Sequence, residues 1–152
     1  SDSGAPPEIY AIDLAGNLIA SFDVQGAGAT DWEDMARGPG PNGDLLYIGD
    51  IGDNAQARSD IEVYRVDEPD PTMGDGQTGA ADVFTLTYSD SPHDAETLLV
   101  DPVNGGASDQ EQFIASGPER FACVHIGTGC AQQQHRCQRN CQRRDQAPPK
   151  AG

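Results

Sequence analysis

Basic side chains are scarce. Residues 1–117 of this 152-residue chain carry three, Arg37, Arg58 and Arg65, against 23 acidic ones, and the formal net charge of the whole chain is -16. Nucleic acids and anionic membranes recruit Lys and Arg and release counterions on contact, so the charge argues against both as partners; divalent cations are the natural counterparts. No apolar run reaches the ~18 to 20 residues of a membrane span, which predicts no span. The opening SDSGAPPEIY has neither the pattern of a signal peptide nor a Met start, and reads as a processed or truncated N-terminus. Cysteine is absent before position 123. Helix signals are nearly absent as well, because Gly38-Pro39-Gly40-Pro41-Asn42-Gly43 and Glu68-Pro69-Asp70-Pro71 would stop any helix that started.

Some mechanisms lack their motifs. There is no G-x-x-x-x-G-K-[ST], no G-x-S-x-G and no H-E-x-x-H, so phosphate-loop, nucleophile-elbow and zincin chemistry has no support. The run Gly38 to Gly43 formally fits G-x-G-x-x-G, but it precedes a strand and two of its variable positions are prolines, so it reads as a turn.

What is present is alternation. Over 8–24, Tyr10, Ile12 and Leu14 alternate with Ile9, Ala11 and Asp13; after Ala15-Gly16-Asn17, Leu18, Ala20, Phe22 and Val24 alternate again. Period 2 on both sides of a short Gly/Asn loop predicts a β-hairpin. Further strands are predicted at Leu45 to Gly49, Ile61 to Val66, Val83 to Tyr88 and Thr97 to Val100, rich in Ile, Val, Tyr, Phe and Thr. The expected fold class is all-β, an antiparallel meander.

A repeat is expected within it. Asp31-Trp32-Glu33 and Asp94-Ala95-Glu96 each lead into an apolar run and then a Pro and an Asn-Gly turn, offset by 63 residues. The segments Asp31-Trp32-Glu33-Asp34, Leu46-Tyr47-Ile48-Gly49-Asp50-Ile51-Gly52-Asp53-Asn54, Val63-Tyr64-Arg65-Val66-Asp67-Glu68-Pro69 and Asp94-Ala95-Glu96-Thr97-Leu98-Leu99-Val100-Asp101-Pro102 resemble a family of largely uncharacterised secreted bacterial β-propeller proteins. The resemblance covers about residues 8 to 106. More distantly, an Asp-x-Glu loop entering an inner strand is similar to calcium-dependent phytase and gluconolactonase propellers, in which carboxylates at the inner ends of blades hold calcium. The resemblance implies a secreted or periplasmic protein with about two blades of a β-propeller. Propellers close with about 4 to 8 blades, so two make a fragment.

Calcium takes 6 to 8 oxygen ligands, and Asp31, Glu33, Asp34, Asp50, Asp53, Asn54, Asp94 and Glu96 are the candidate set. Gly49 and Gly52 are expected to turn the backbone so that Asp50, Asp53 and Asn54 face one point. The alternative is a solvated acidic loop face. His93, beside Asp94, is the candidate general base, weighed against a turn residue. Trp32 reads as a packing residue, and Arg58 and Arg65 as internal salt-bridge partners. The expected function is calcium binding in a binding or scaffolding role. The alternatives are a calcium-dependent hydrolase of phosphate esters or lactones, acting on a small anionic substrate, and a purely structural acidic β-domain. An extracellular protein is the other candidate partner.

The domain organisation expected is an extension at 1–7, a β-propeller-type partial domain at 8–117, and a basic tail at 118–152. The tail holds 6 basic and 2 acidic residues and all four cysteines, Cys123, Cys130, Cys137 and Cys141. Its C-x6-C-x6-C-x3-C spacing has one C-x2–4-C pair, Cys137 and Cys141, where structural zinc sites usually show two, and an oxidising compartment would allow three disulfide pairings. With no hydrophobic stripe, the tail is expected to be disordered or a frameshifted or artificial continuation of a longer propeller gene.

Overall fold

A computed structural model describes residues 4–88 and 90–100 in full, and the backbone course of 111–117 and 120–126. The strands are β1 (Glu8–Ile12), β2 (Leu18–Asp23), β3 (Trp32–Gly40), β4 (Gly43–Asp50), β5 (Ile61–Val66), β6 (Gly76–Gln77), β7 (Asp82–Leu86), β8 (Thr97–Val100), β9 (Glu111–Gly117) and β10 (Arg120–Ile126). The helical element among the described residues is one 3-10 turn, Pro71–Met73. The fold is all-β, as expected.

Three sheets result. The first has the order β1-β2-β6, the second, central one β3-β4-β5-β7, and the third β10-β9-β8. Pairing is antiparallel throughout except for two residues of β6, which run parallel to β2 at Phe22↔Gly76 and Asp23↔Gln77. Among the described residues the sheets form an open stack, with neither a closed barrel nor a ring of blades.

The hairpin predicted at 8–24 forms, and Asp13 explains its turn. One carboxylate oxygen accepts the backbone N–H groups of Ala15 and Asn17, each at 2.8 Å, and the other accepts the Asn17 amide at 2.8 Å. These bonds favour the ionised form and hold the Asp13 carboxyl below its ordinary range, the Asn17 amide foremost. Strand β3 was missed in the sequence because Gly38-Pro39-Gly40 reads as punctuation. The strand runs through it, with Pro39 opposite Asp44 at its far end, and Tyr47 Oη donates to the Pro39 carbonyl at 2.6 Å. The reversal is confined to Pro41-Asn42, and Gly43 has φ 143°, a conformation that suits glycine.

The run Leu45-Leu46-Tyr47-Ile48 belongs to a strand covered on both sides. Leu46 and Ile48, with Tyr64 and Val66 of β5, pack on Val24, Trp32 and Ile9 on the side of the first sheet. Leu45 and Tyr47, with Ile61 and Val63 of β5, pack on Ala95, Leu98 and Val100 on the side of the third. Side chains alternate across a strand, so adjacent residues feed different cores, and a continuous apolar run is what a doubly covered strand requires.

The boundary drawn at residue 117 falls between β9 and β10. Strand β10 pairs with β9, Cys123 lying opposite Ile114 and His125 opposite Gln112. The rest of the predicted tail, with Cys130, Cys137 and Cys141, lies outside the described residues, as do extension residues 1–3. No helix among the described residues is long and apolar enough to cross a membrane.

Candidate carboxylate site

The acidic loops converge where the central and third sheets meet. Both Asp-x-Glu segments enter strands there: Asp31 precedes β3 and Glu33 lies within it, while Asp94 and Glu96 precede β8. The β4–β5 loop, 51–60, closes the site from the other side. Its Gly52 N–H donates to the Asp31 carbonyl at 3.1 Å, and the Ala95 N–H donates to the Ile51 carbonyl at 3.3 Å.

The eight predicted ligands divide into two sets. Asp50, fully buried at the end of β4, accepts the backbone N–H groups of Thr30 and Asp31 at 2.9 Å each and Nη1 of Arg58 at 2.8 Å. Asp53 accepts the Arg58 N–H at 2.8 Å and donates its own N–H to Asp94 Oδ1 at 2.6 Å. Asp34 accepts the Met35 N–H at 2.8 Å and, across to β8, the Leu98 N–H at 2.9 Å. These four carboxylates, Asp34, Asp50, Asp53 and Asp94, are thus engaged in holding loops and sheets together. Asn54 is exposed and donates Nδ2 to Asp31 Oδ2 at 3.2 Å. Asp50, Asp53 and Asn54 therefore do not face one point: Arg58 ties the first two, and the third reaches Asp31.

The second set is Asp31, Glu33 and Glu96. Register shifts between Trp32, opposite Asp50, and Asp34, opposite Gly49, leaving Glu33 as the extra residue of a β-bulge. A bulge re-aims a side chain, and here it turns Glu33 toward Asp31 and Glu96. Burial pushes the Glu33 carboxyl up to about 7, helped by the charges of Glu96 and Asp31, and both carboxyls lie within hydrogen-bonding reach of it. Beneath them lies Gly52, where a Cβ would stand 2.4 Å from Glu33 Oε1 and 2.6 Å from Asp31 Oδ2. Neither Gly49 nor Gly52 has a positive φ. The expectation that they make sharp turns is corrected: Gly52 is needed for space, because any larger residue would fill the volume in which the carboxyls meet. Among the described residues, no three or more Asp, Glu, His or Cys side chains stand at the spacing of an assembled metal site.

Sequence reasoning named all three carboxylates of this set but also the four structural ones, since their residue types are identical. It placed Trp32 and the arginines correctly. Trp32 is buried, donates Nε1 to the Gly28 carbonyl at 2.8 Å and packs on Tyr64 with ring centroids 6.0 Å apart. Arg58 pairs with Asp50, and Arg65 with Asp82 at 2.7 Å. His93 sits at the site's edge, 3.0 Å from Asp90, its ring edge-on to Tyr88 at 4.8 Å. Tyr88 was missed as a site residue, although its hydroxyl is buried and has no hydrogen-bond partner among the described residues. Burial raises its pKa, Arg58 lowering it and Asp53 and Asp94 adding to the rise. In the sequence Tyr88 reads as the end of the strand predicted at Val83 to Tyr88, which carries no signal for this; the strand ends at Leu86.

Comparison with known protein families, curated proteins and solved structures returns no match. The reading of the site rests on its own geometry.

Proposed function

We propose that this chain is a secreted calcium-binding domain of β-propeller type, with a binding or scaffolding role, in which Asp31, Glu33 and Glu96 take the cation. The observation that carries the reading is the convergence of these three carboxyls, from two different sheets, over a glycine that leaves room for them. Three carboxylates offer six oxygens, the lower end of what calcium accepts. Brought together without a cation, they repel unless one holds a proton, and the raised Glu33 expresses that conflict. A divalent ion would remove it and would join the central sheet to the third. The stacking of sheets on both faces of a four-stranded meander is how neighbouring propeller blades pack, and supports the blade reading.

Calorimetric titration with Ca²⁺ tests this. The expected result is binding in the ~0.1 to 1 mM range of extracellular calcium modules or tighter. Glu33→Gln or Glu96→Gln should weaken it about 10-fold or more, the effect of removing one charged ligand. No heat and no rise in melting temperature at about 5 mM Ca²⁺ would remove the metal from the account.

A further inference from the structure

The β4–β5 loop folds back on itself, and one cation ties it. Among the described residues Gln56 is the non-glycine residue with a positive φ, 50°, a left-handed conformation that such a residue adopts only when its surroundings hold it there. The Gln56 N–H donates to the Asp53 carbonyl at 2.7 Å and the Arg58 N–H to Asp53 Oδ2 at 2.8 Å, which brings the Arg58 side chain back over the start of the loop. There a single nitrogen, Nη1, donates to Asp50 Oδ1 at 2.8 Å and to the Gly52 carbonyl at 2.9 Å. Asp50 Oδ1 also accepts the Asp31 N–H at 2.9 Å, and the Gly52 N–H donates to the Asp31 carbonyl at 3.1 Å. These bonds close a ring through Asp31, Asp50, Arg58 and Gly52. Within it lie a residue that supplies one carboxyl of the site and the glycine whose missing side chain leaves the carboxyls room.

We propose that Arg58 is the positioning residue of the carboxylate site, fixing Asp31 and Gly52 at the separation in which Asp31, Glu33 and Glu96 can share one calcium ion. The inference rests on the calcium reading above. Without the guanidinium, the Gly52 carbonyl loses a donor and the fully buried Asp50 loses its counter-charge, so nothing ties the floor of the site to the carboxylate that orients Asp31. Altering a residue that orients metal ligands without touching the metal costs about 10- to 100-fold in metal affinity. The coupling also runs in reverse: if Arg58 favours calcium, bound calcium must favour the closed ring by the same factor.

Calcium titration and hydrogen exchange on the whole chain test this. Arg58→Gln, uncharged and too short to reach both acceptors, should weaken calcium binding about 10- to 100-fold and, in a chelator, speed exchange of the Asp31 and Gly52 N–H groups. Arg58→Lys keeps the charge on a single nitrogen that can serve both acceptors, and should restore much of the affinity and of the protection. Phe22→Leu, in the buried side of the first sheet, controls for a general loss of stability: it should lower the melting temperature and leave the affinity unchanged. A further readout needs no variant. In the wild type, saturating calcium should slow exchange of the Arg58 guanidinium hydrogens. Wild-type affinity in Arg58→Gln, an equal loss in Phe22→Leu, or guanidinium hydrogens that calcium leaves unchanged would each overturn the proposal. Failure of the calcium reading has a different signature: the wild type takes up no calcium, while the exchange difference between wild type and Arg58→Gln persists in the chelator.

Discussion

A bulge leaves Glu33 outside the β3–β4 register, and burial beside Glu96 and Asp31 lifts its carboxyl from an ordinary 4.5 to about 7. The folded chain therefore holds a proton there that the unfolded chain has lost between about pH 4.5 and 7. Stability falls as pH rises through that window, since the unfolded state binds fewer protons, and the full penalty stands above it. In a chelator, the melting temperature should drop between pH 5 and 7.5. Glu33→Gln should flatten this drop and raise the melting temperature at pH 7.5. Identical pH profiles for the two proteins would show that Glu33 does not carry the strain. On the proposed calcium reading, added calcium should act in the opposite sense, because it would favour the ionised carboxylates whose charge destabilises the metal-free fold.

Among the elements, the hairpin at 8–24 was legible because alternation and turn chemistry agree, and β5 and β8 because β-favouring residues stand between turn residues. Strand β3 was not, since glycine and proline signal a break locally while pairing with β4 sustains the strand to Gly40. The β4–β5 loop is organised by an ion pair that no local pattern reveals. Asp50 and Arg58 are eight residues apart, and the same carboxylate holds the backbone of Thr30 and Asp31 from a distant segment. Asp50→Ala should cost about 3 to 5 kcal/mol in chemical denaturation, because it leaves two backbone donors without their acceptor and a half-buried guanidinium without its counter-charge, holding only the Gly52 carbonyl. A loss under 1 kcal/mol would mean that solvent satisfies those donors.

At the scale of the molecule, the carboxylate site depends on the docking of the third sheet against the central one. Leu98 is buried between them against Tyr47 and Val63, and its N–H is held by Asp34. Leu98→Ala should destabilise by about 2 to 5 kcal/mol through the cavity it leaves. It should also weaken calcium binding although residue 98 donates nothing to the ion, because Glu96 enters on the same strand. Unchanged affinity in a destabilised variant would separate the site from the packing. The other core, built on Trp32, Tyr64 and Val66, joins the central sheet to the first sheet.

The amino-acid sequence by itself determined the all-β class, the sites of most strands and the pool of carboxylates, since each follows from residue type and short-range spacing. The tertiary structure alone decided which carboxylates are structural. Asp34, Asp50, Asp53 and Asp94 differ from Asp31, Glu33 and Glu96 in which backbone N–H groups reach them, and those donors arrive from segments 19 to 64 residues away at Asp50, Asp94 and Asp34. Gly52 was legible as a glycine, but its purpose was not. The space above it is defined by the carboxyls of Asp31 and Glu33 from a segment about 20 residues away, and proximity between segments distant in sequence leaves no mark on the local pattern of a chain.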